Sequence, residues 1–146
     1  MKYLLIPFSL LLFSFANLEG WNTNMEDAKK TATAENKYIL LNFSGSDWCG
    51  NYIKLERELF SKDTFINYST SNFVLLNADF PTKKKNKLSP KQVSQNEKLA
   101  EKFNPNGIFP LTVVLNSNGE KIREMKYPCK NTIEYIQSLN KIIHPE

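Results

Sequence analysis

The sequence predicts an α/β fold: a mixed four-stranded sheet flanked by helices on both faces. Three observations carry that prediction. Tyr38–Phe43 and Phe73–Ala78 are short, nearly continuous apolar runs, as expected of strands buried on both faces. The segments between them have helical spacing, so the connection is a crossover and the two strands are parallel. Leu111–Leu115 is a third apolar run, followed by Asn118-Gly119, a hairpin turn signal, and then by Ile122–Tyr127. That last run turns back as a fourth, antiparallel strand.

The elements follow in order. Asn24 to Lys37 is polar with Ala28, Ala32 and Ala34, and reads as a helix with Asn24 as its N-cap. The first strand leads to Cys49, where strand gives way to helix. Tyr52, Ile53, Leu55, Leu59 and Phe60 give that helix an apolar stripe. Asp63 or Ser61 caps a further helix containing Phe65, Ile66 and Tyr68. After the second strand, Asp79 to Pro90 is a lysine-rich loop. Lys91 to Phe103 is a helix with Val93, Leu99, Ala100 and Phe103 inward, ending before Pro105. Ile133, Ile136, Leu139 and Ile143 mark a closing amphipathic helix capped by Asn131.

The start of the chain reads differently. Met1-Lys2-Tyr3 is a short positive segment, Leu4 to Phe15 is almost unbroken apolar sequence, and Ser14-Phe15-Ala16 supplies small residues for cleavage. Residues 1–16 are therefore expected to be a signal peptide, with a second possible cut after Gly20. Residues 17–146 then form one domain. The alternative is an uncleaved membrane anchor, but the apolar run is short for roughly 30 Å of hydrocarbon. No cysteine follows it, which argues against a lipoprotein anchor.

Composition bounds the chemistry. The net charge of +4 is too modest to name a partner. Lys83-Lys84-Lys85-Asn86-Lys87 reads as a solvated loop and not as a nucleic-acid patch, because no arginine or aromatic residue interleaves with it. The single His144 has no second ligand nearby, so neither a metal nor another cofactor is expected. Two cysteines in an exported chain are too few for a disulfide scaffold, which leaves one bridge or chemistry. The sequons Asn42-Phe43-Ser44 and Asn67-Tyr68-Ser69 matter only in a eukaryotic secretory pathway, and the first lies in a buried strand.

Cys49 is the candidate reactive group. It stands in Ser44-Gly45-Ser46-Asp47-Trp48-Cys49-Gly50-Asn51-Tyr52, at the opening of a helix. Backbone N–H groups and the positive end of the helix dipole favour a thiolate at such a place. The competing reading is a small buried hydrophobe.

Over Asn24 to Ile143 these features resemble the thioredoxin superfamily. The residues that carry the resemblance are Trp48-Cys49-Gly50 after a buried strand, Ile108-Phe109-Pro110-Leu111-Thr112, and the final hairpin plus helix. Asn42 to Cys49, Asn77-Ala78-Asp79-Phe80-Pro81 and the lysine loop are similar to exported bacterial thioredoxin-like proteins of the Bacteroidetes type, which usually carry a full C-x-x-C. The resemblance implies a thioredoxin fold with Cys49 as the attacking thiol. It implies a cis Pro110 facing that thiol, and a substrate held by Trp48, Phe109 and Pro110. The partners would be protein thiols or disulfides, met in the periplasm or after secretion by a monomer with no stable membrane anchor after signal cleavage and no nucleic-acid partner.

Two residues depart from the pattern. Tyr52 takes the place of the second, resolving cysteine and cannot release a mixed disulfide. Asn42 stands where many thioredoxins keep a buried acid, and reads as a satisfied core amide. Cys129 follows Pro128 in a loop that borders the reactive surface in this topology, so it is either a replacement resolving thiol or a partly buried free thiol. Thiol–disulfide exchange through Cys49, with help from Cys129 or an external thiol, is the leading expectation. The alternative is a redox-inert thioredoxin-fold binding module.

Overall fold

The computed structural model describes residues 20–146. The expected signal peptide at residues 1–16 lies outside them.

Asn24 starts the first helix as its sequence suggests: its side chain accepts the Asp27 N–H at 3.0 Å. This helix, α1, spans Met25–Glu35 and ends at Asn36, whose φ of 52° is left-handed. Strand β1, Tyr38–Ser44, pairs in parallel with β2, Phe73–Asp79, from Tyr38↔Phe73 to Ser44↔Asp79. Strand β3, Leu111–Leu115, runs antiparallel to β1, and β4, Lys121–Lys126, runs antiparallel to β3. Gly119 lies in the turn between them with φ of 82°. The sheet order is β2-β1-β3-β4, the mixed four-stranded sheet that the sequence predicts.

Alternation along β1 splits the core in two. Ile39, Leu41 and Phe43 pack with Ala28 and Ala32 of α1 and with Leu99 and Phe103 of α4, the helix Pro90–Phe103. Leu40 packs on the other face with Leu55, Phe65, Tyr135 and Leu139. Those residues come from α2 (Gly50–Leu55), α3 (Asp63–Asn72) and α5 (Thr132–Ile143). Helices therefore cover both faces.

Three apolar residues expected to point inward, Ile53, Val93 and Ile133, do not, and Ile66 faces solvent as well. Ile53 is 45% exposed, because α2 turns Tyr52 and Leu55 to the core and a π-turn follows at Glu56–Phe60. The Ser61 N–H bonds to the Glu56 carbonyl at 2.9 Å, and the extra residue in that turn brings both Leu59 and Phe60 into the core. Ile66 faces solvent because α3 buries Phe65 and Ser69 instead. That helix follows Lys62, and neither Ser61 nor Asp63 caps it. Val93 is exposed in the first turn of α4, which is capped by Ser89 at the Gln92 N–H. Ile133 is exposed because α5 turns Tyr135, Leu139 and Ile143 inward; Asn131 caps it as expected.

Candidate functional site

β1 is a central strand, so its end at Ser44 delivers the next residues to the middle of the sheet's C-terminal end. A tight turn follows. The Cys49 N–H donates to the Gly45 carbonyl at 2.8 Å, and the Ile53 N–H donates to the Cys49 carbonyl at 3.0 Å. Cys49 is thus the N-cap of α2, with extended backbone and a side chain 7% exposed. Gly45 is required here: a Cβ would stand 2.3 Å from the Trp48 indole.

Trp48 is half-exposed and held from two sides. Its Nε1–H donates to the Phe80 carbonyl at 2.7 Å, and its ring meets the edge of Phe109 at 5.5 Å. Phe80 contacts Phe109 on the same spacing, 5.5 Å between centroids. The Phe109–Pro110 peptide bond is cis, in line with the resemblance, and so is Tyr127–Pro128. Trp48, Phe109 and the segment before β3 are therefore brought together.

Asp47 ties the lysine loop to this turn. Its carboxylate accepts the N–H groups of Thr82 and Lys83, both at 2.9 Å, and Asn86 Nδ2 at 2.8 Å. The Thr82 amide chiefly, with Asn86 and Lys83, pulls the Asp47 carboxyl from 3.8 down to about 2.

Tyr52 is turned inward and is 1% exposed. Burial first, then the Glu56 and Asp79 carboxylates, push its phenol upward. Tyr52, Ser46, Glu56, Asp79 and Asn77 line a small cavity of about 120 Å³. Asp79 is anchored there by Ser44 Oγ at 2.8 Å and the Ser46 N–H at 2.9 Å. Burial and Asp79 raise the Glu56 carboxyl. Asn42 is a satisfied core amide: it donates to Asn77 Oδ1 at 3.0 Å and accepts from Thr112 Oγ1 at 3.2 Å.

Cys129 is half-buried and packs against the same apolar cluster that contains Cys49. It shares a crevice with Leu55, Pro110, Thr112 and Tyr135. Both cysteines are free thiols. Burial raises the Cys129 thiol, and the Glu134 and Glu58 carboxylates add to that. The Tyr135 hydroxyl in the same crevice is buried, with no hydrogen-bond partner among the described residues.

Among the described residues no group of three or more His, Cys, Asp or Glu side chains could hold a metal ion. No described helix is long and apolar enough to cross a membrane. Sequence reasoning missed Phe80, Asp47 and the Glu56–Asp79 pair. Each acts through partners distant in the chain, so no local spacing announces them.

A family model described as a thioredoxin-like domain matches residues 25–136. The chain is 26% identical over 128 residues to a disulfide bond reductase, DsbH, of Chlamydia pneumoniae, covering 88% of this chain and 74% of the relative. Among solved structures, a DsbH oxidoreductase superposes with a TM-score of 0.78 at 22% identity, over 86% of this chain and 85% of that one. A disulphide isomerase from Xylella fastidiosa superposes with a TM-score of 0.61 at 15% identity, over 91% and 98%.

Proposed function

The chain belongs to the thioredoxin-like domain family, and we propose that it is an exported bacterial member that exchanges thiols and disulfides on protein substrates through Cys49. One observation carries the reading. Cys49 caps a helix beside the Trp48–Phe109 pair, while position 52 is filled by a buried tyrosine. A single thiol is therefore presented where the family usually presents two.

The chemistry follows from that count. The Cys49 thiolate attacks one sulfur of a substrate disulfide; an S–S bond to Cys49 forms and the second substrate sulfur leaves as a thiolate. A second thiol must then attack Cys49 Sγ to release the first substrate sulfur. If Cys129 does so, a Cys49–Cys129 disulfide forms and the two cysteines have supplied two electrons. If an external thiol does so, it becomes joined to Cys49, and a second external thiol restores the free cysteine. Trp48, Phe109 and Pro110 would hold the substrate next to Cys49. The similarity to a disulfide bond reductase supports reduction as the direction. Export to the periplasm or beyond rests on the leader at residues 1–16, and the lysine loop and Asn42–Cys49 stretch support a Bacteroidetes-type origin.

The low exposure of Cys49 and the fully packed Tyr52 favour a second reading, a redox-inert module that binds partners on the same surface. Trapping separates the two. The full chain, its Cys49→Ser form and its Cys129→Ser form are incubated with a disulfide-bearing protein, and adducts are mapped by peptide mass spectrometry. A mixed disulfide at Cys49, absent from Cys49→Ser and longer-lived in Cys129→Ser, supports exchange with Cys129 resolving. Equal lifetimes point to an external thiol. No adduct at Cys49 leaves the binding module.

A further inference from the structure

A groove of about 520 Å³ lies against the redox turn. Trp48, Phe80 and Phe109 form one side and Pro81, Leu88 and Val93 contribute the rest of its apolar lining. Trp48 is 47% and Val93 38% exposed, so large apolar surface is open to a partner. Lys83, Lys84 and Lys87 also line the groove, and Lys85 is exposed in the same loop. None of these four lysines has an ion-pair partner among the described residues. The nearby carboxylates, Asp47 held by the loop amides and Asp79 by Ser44 and Ser46, keep their charge and offset part of the lysines' field, leaving a net positive rim. The lysines are held in place because Asp47, two residues before Cys49, binds their loop directly.

We propose that this groove docks the stretch of a protein substrate flanking its reacting cysteine, a stretch with a large apolar side chain and neighbouring carboxylates. The inference rests on the exchange reading for what brings the partner there. A peptide joined through sulfur to Cys49 has its adjacent residues beside Trp48. The apolar wall takes the side chain, and the lysines, which outnumber the two carboxylates and have no direct ion pair, select acidic neighbours over basic ones. The charge contribution acts over about a Debye length, ~10 Å at 0.1 M salt, so added salt weakens it while the apolar contact persists.

Binding and chemistry are tested separately on the full chain. Three thiol-free peptides are titrated by calorimetry: one phenylalanine flanked by glutamates, the same flanked by lysines, and the glutamate peptide with serine for phenylalanine. At low salt the glutamate–phenylalanine peptide should bind at least ~10-fold tighter than the lysine one, and the gap should shrink in high salt. The Lys83→Glu/Lys84→Glu/Lys87→Glu chain should reverse the preference. Loss of phenylalanine should cost about another 10-fold. Equal binding of acidic and basic peptides, or an unchanged preference in the lysine variant, overturns the proposal. So does tighter binding of a single-stranded oligonucleotide or of anionic vesicles than of the acidic peptide. Cysteine versions of the peptides, each carrying thionitrobenzoate as a disulfide, then report chemistry: Cys49 Sγ bonds to the peptide sulfur and thionitrobenzoate leaves. An inert Cys49 with the acidic preference intact sinks exchange and keeps docking. A Cys49 that reacts alike with all peptides keeps exchange and sinks docking.

Discussion

Tyr52→Cys supplies a second thiol at C-x-x-C spacing and puts the reading of this site under direct strain. Tyr52 is 1% exposed, so the substitution removes a packed ring. Truncating a buried aromatic costs ~3–5 kcal/mol. The thiol fills part of the space, and the lost hydroxyl was a desolvated group facing Glu56 and Asp79, which together offset about 1 kcal/mol. A net loss of ~2–4 kcal/mol fits within the ~5–15 kcal/mol of an ordinary domain, so the variant should fold. At an m-value of ~2 kcal/mol/M, its urea midpoint should fall by ~1–2 M in the reduced state. Positions 49 and 52 have the i,i+3 spacing of a C-x-x-C pair across the start of α2, and a bridge forms there once the Cβ atoms draw in to the ~3.5–4.5 Å that a disulfide spans. Oxidation should therefore recover part of the stability. Coupled to a chemical reductant, the variant should reduce a generic protein disulfide with faster turnover than the native chain, which on the exchange reading needs Cys129 or an external thiol to release its substrate. A folded, bridged Tyr52→Cys chain without turnover would refute the claim that Trp48, Cys49 and Phe109 form a working redox surface. A midpoint shift under ~0.5 M would refute the packing argument.

Three further outcomes are expected. Glu56 has its carboxyl raised above 4.5 by burial and by Asp79, so its folded form holds a proton more tightly than its unfolded form. The associated stability is present below that value and is lost as pH rises through the folded pKa. Glu56→Gln should therefore flatten the pH dependence of urea unfolding above pH 4.5 and gain under about 1 kcal/mol at pH 7, since the group is half-exposed and screened. Gly45→Ala should displace the Trp48 indole, break its bond to the Phe80 carbonyl and cost ~1–3 kcal/mol, read as a shifted tryptophan emission and a lowered urea midpoint. The Cys129 thiol, raised by burial and by Glu134 and Glu58, should alkylate more slowly at pH 7 in the folded chain than in urea, and Glu134→Gln should speed it.

The sheet was legible because its information is local. β1 and β3 are buried along nearly their whole length and read as mainly apolar runs, and Asn118-Gly119 announces its own turn. Asn24 and Asn131 were legible as caps for the same reason. The helix faces were less so. Ile53 shares its side of a 3.6-residue wheel with Phe60, but the π-turn at Glu56–Phe60 carries Phe60 into the core with Leu59 and leaves Ile53 outside, and Ile133 lies in a first turn whose neighbour Tyr135 takes the core. The site divides along the same line. Trp48, Cys49, Phe109 and Pro110 stand out by their sequence setting. The Asp47–Thr82 and Ser46–Asp79 bonds span 35 and 33 residues and leave no periodic trace. The lysine run reads as a solvated loop until Asp47 is seen to hold it against Trp48.

The two departures from the family pattern belong to one polar ladder. Asn42 and Ser44 lie two residues apart on β1, so they share a face, and their partners Asn77 and Asp79 share it on β2. The first rung runs across three strands: Thr112 donates to Asn42, which donates to Asn77. A middle group that both accepts and donates is required there. An amide does this in one protonation state, whereas a carboxylate has no hydrogen to give. The second rung, Ser44 to Asp79, ends in the cavity where Tyr52 and Glu56 meet. A thiol at position 52 would leave that rung facing a void. A tyrosine fills the space with its ring and places a hydroxyl among the polar groups. Tyr52 and Asn42 are thus each matched by neighbours that suit them. The interior around position 52 is packed for a tyrosine, while Gly45, Trp48, Phe80 and Phe109 hold one another beside Cys49.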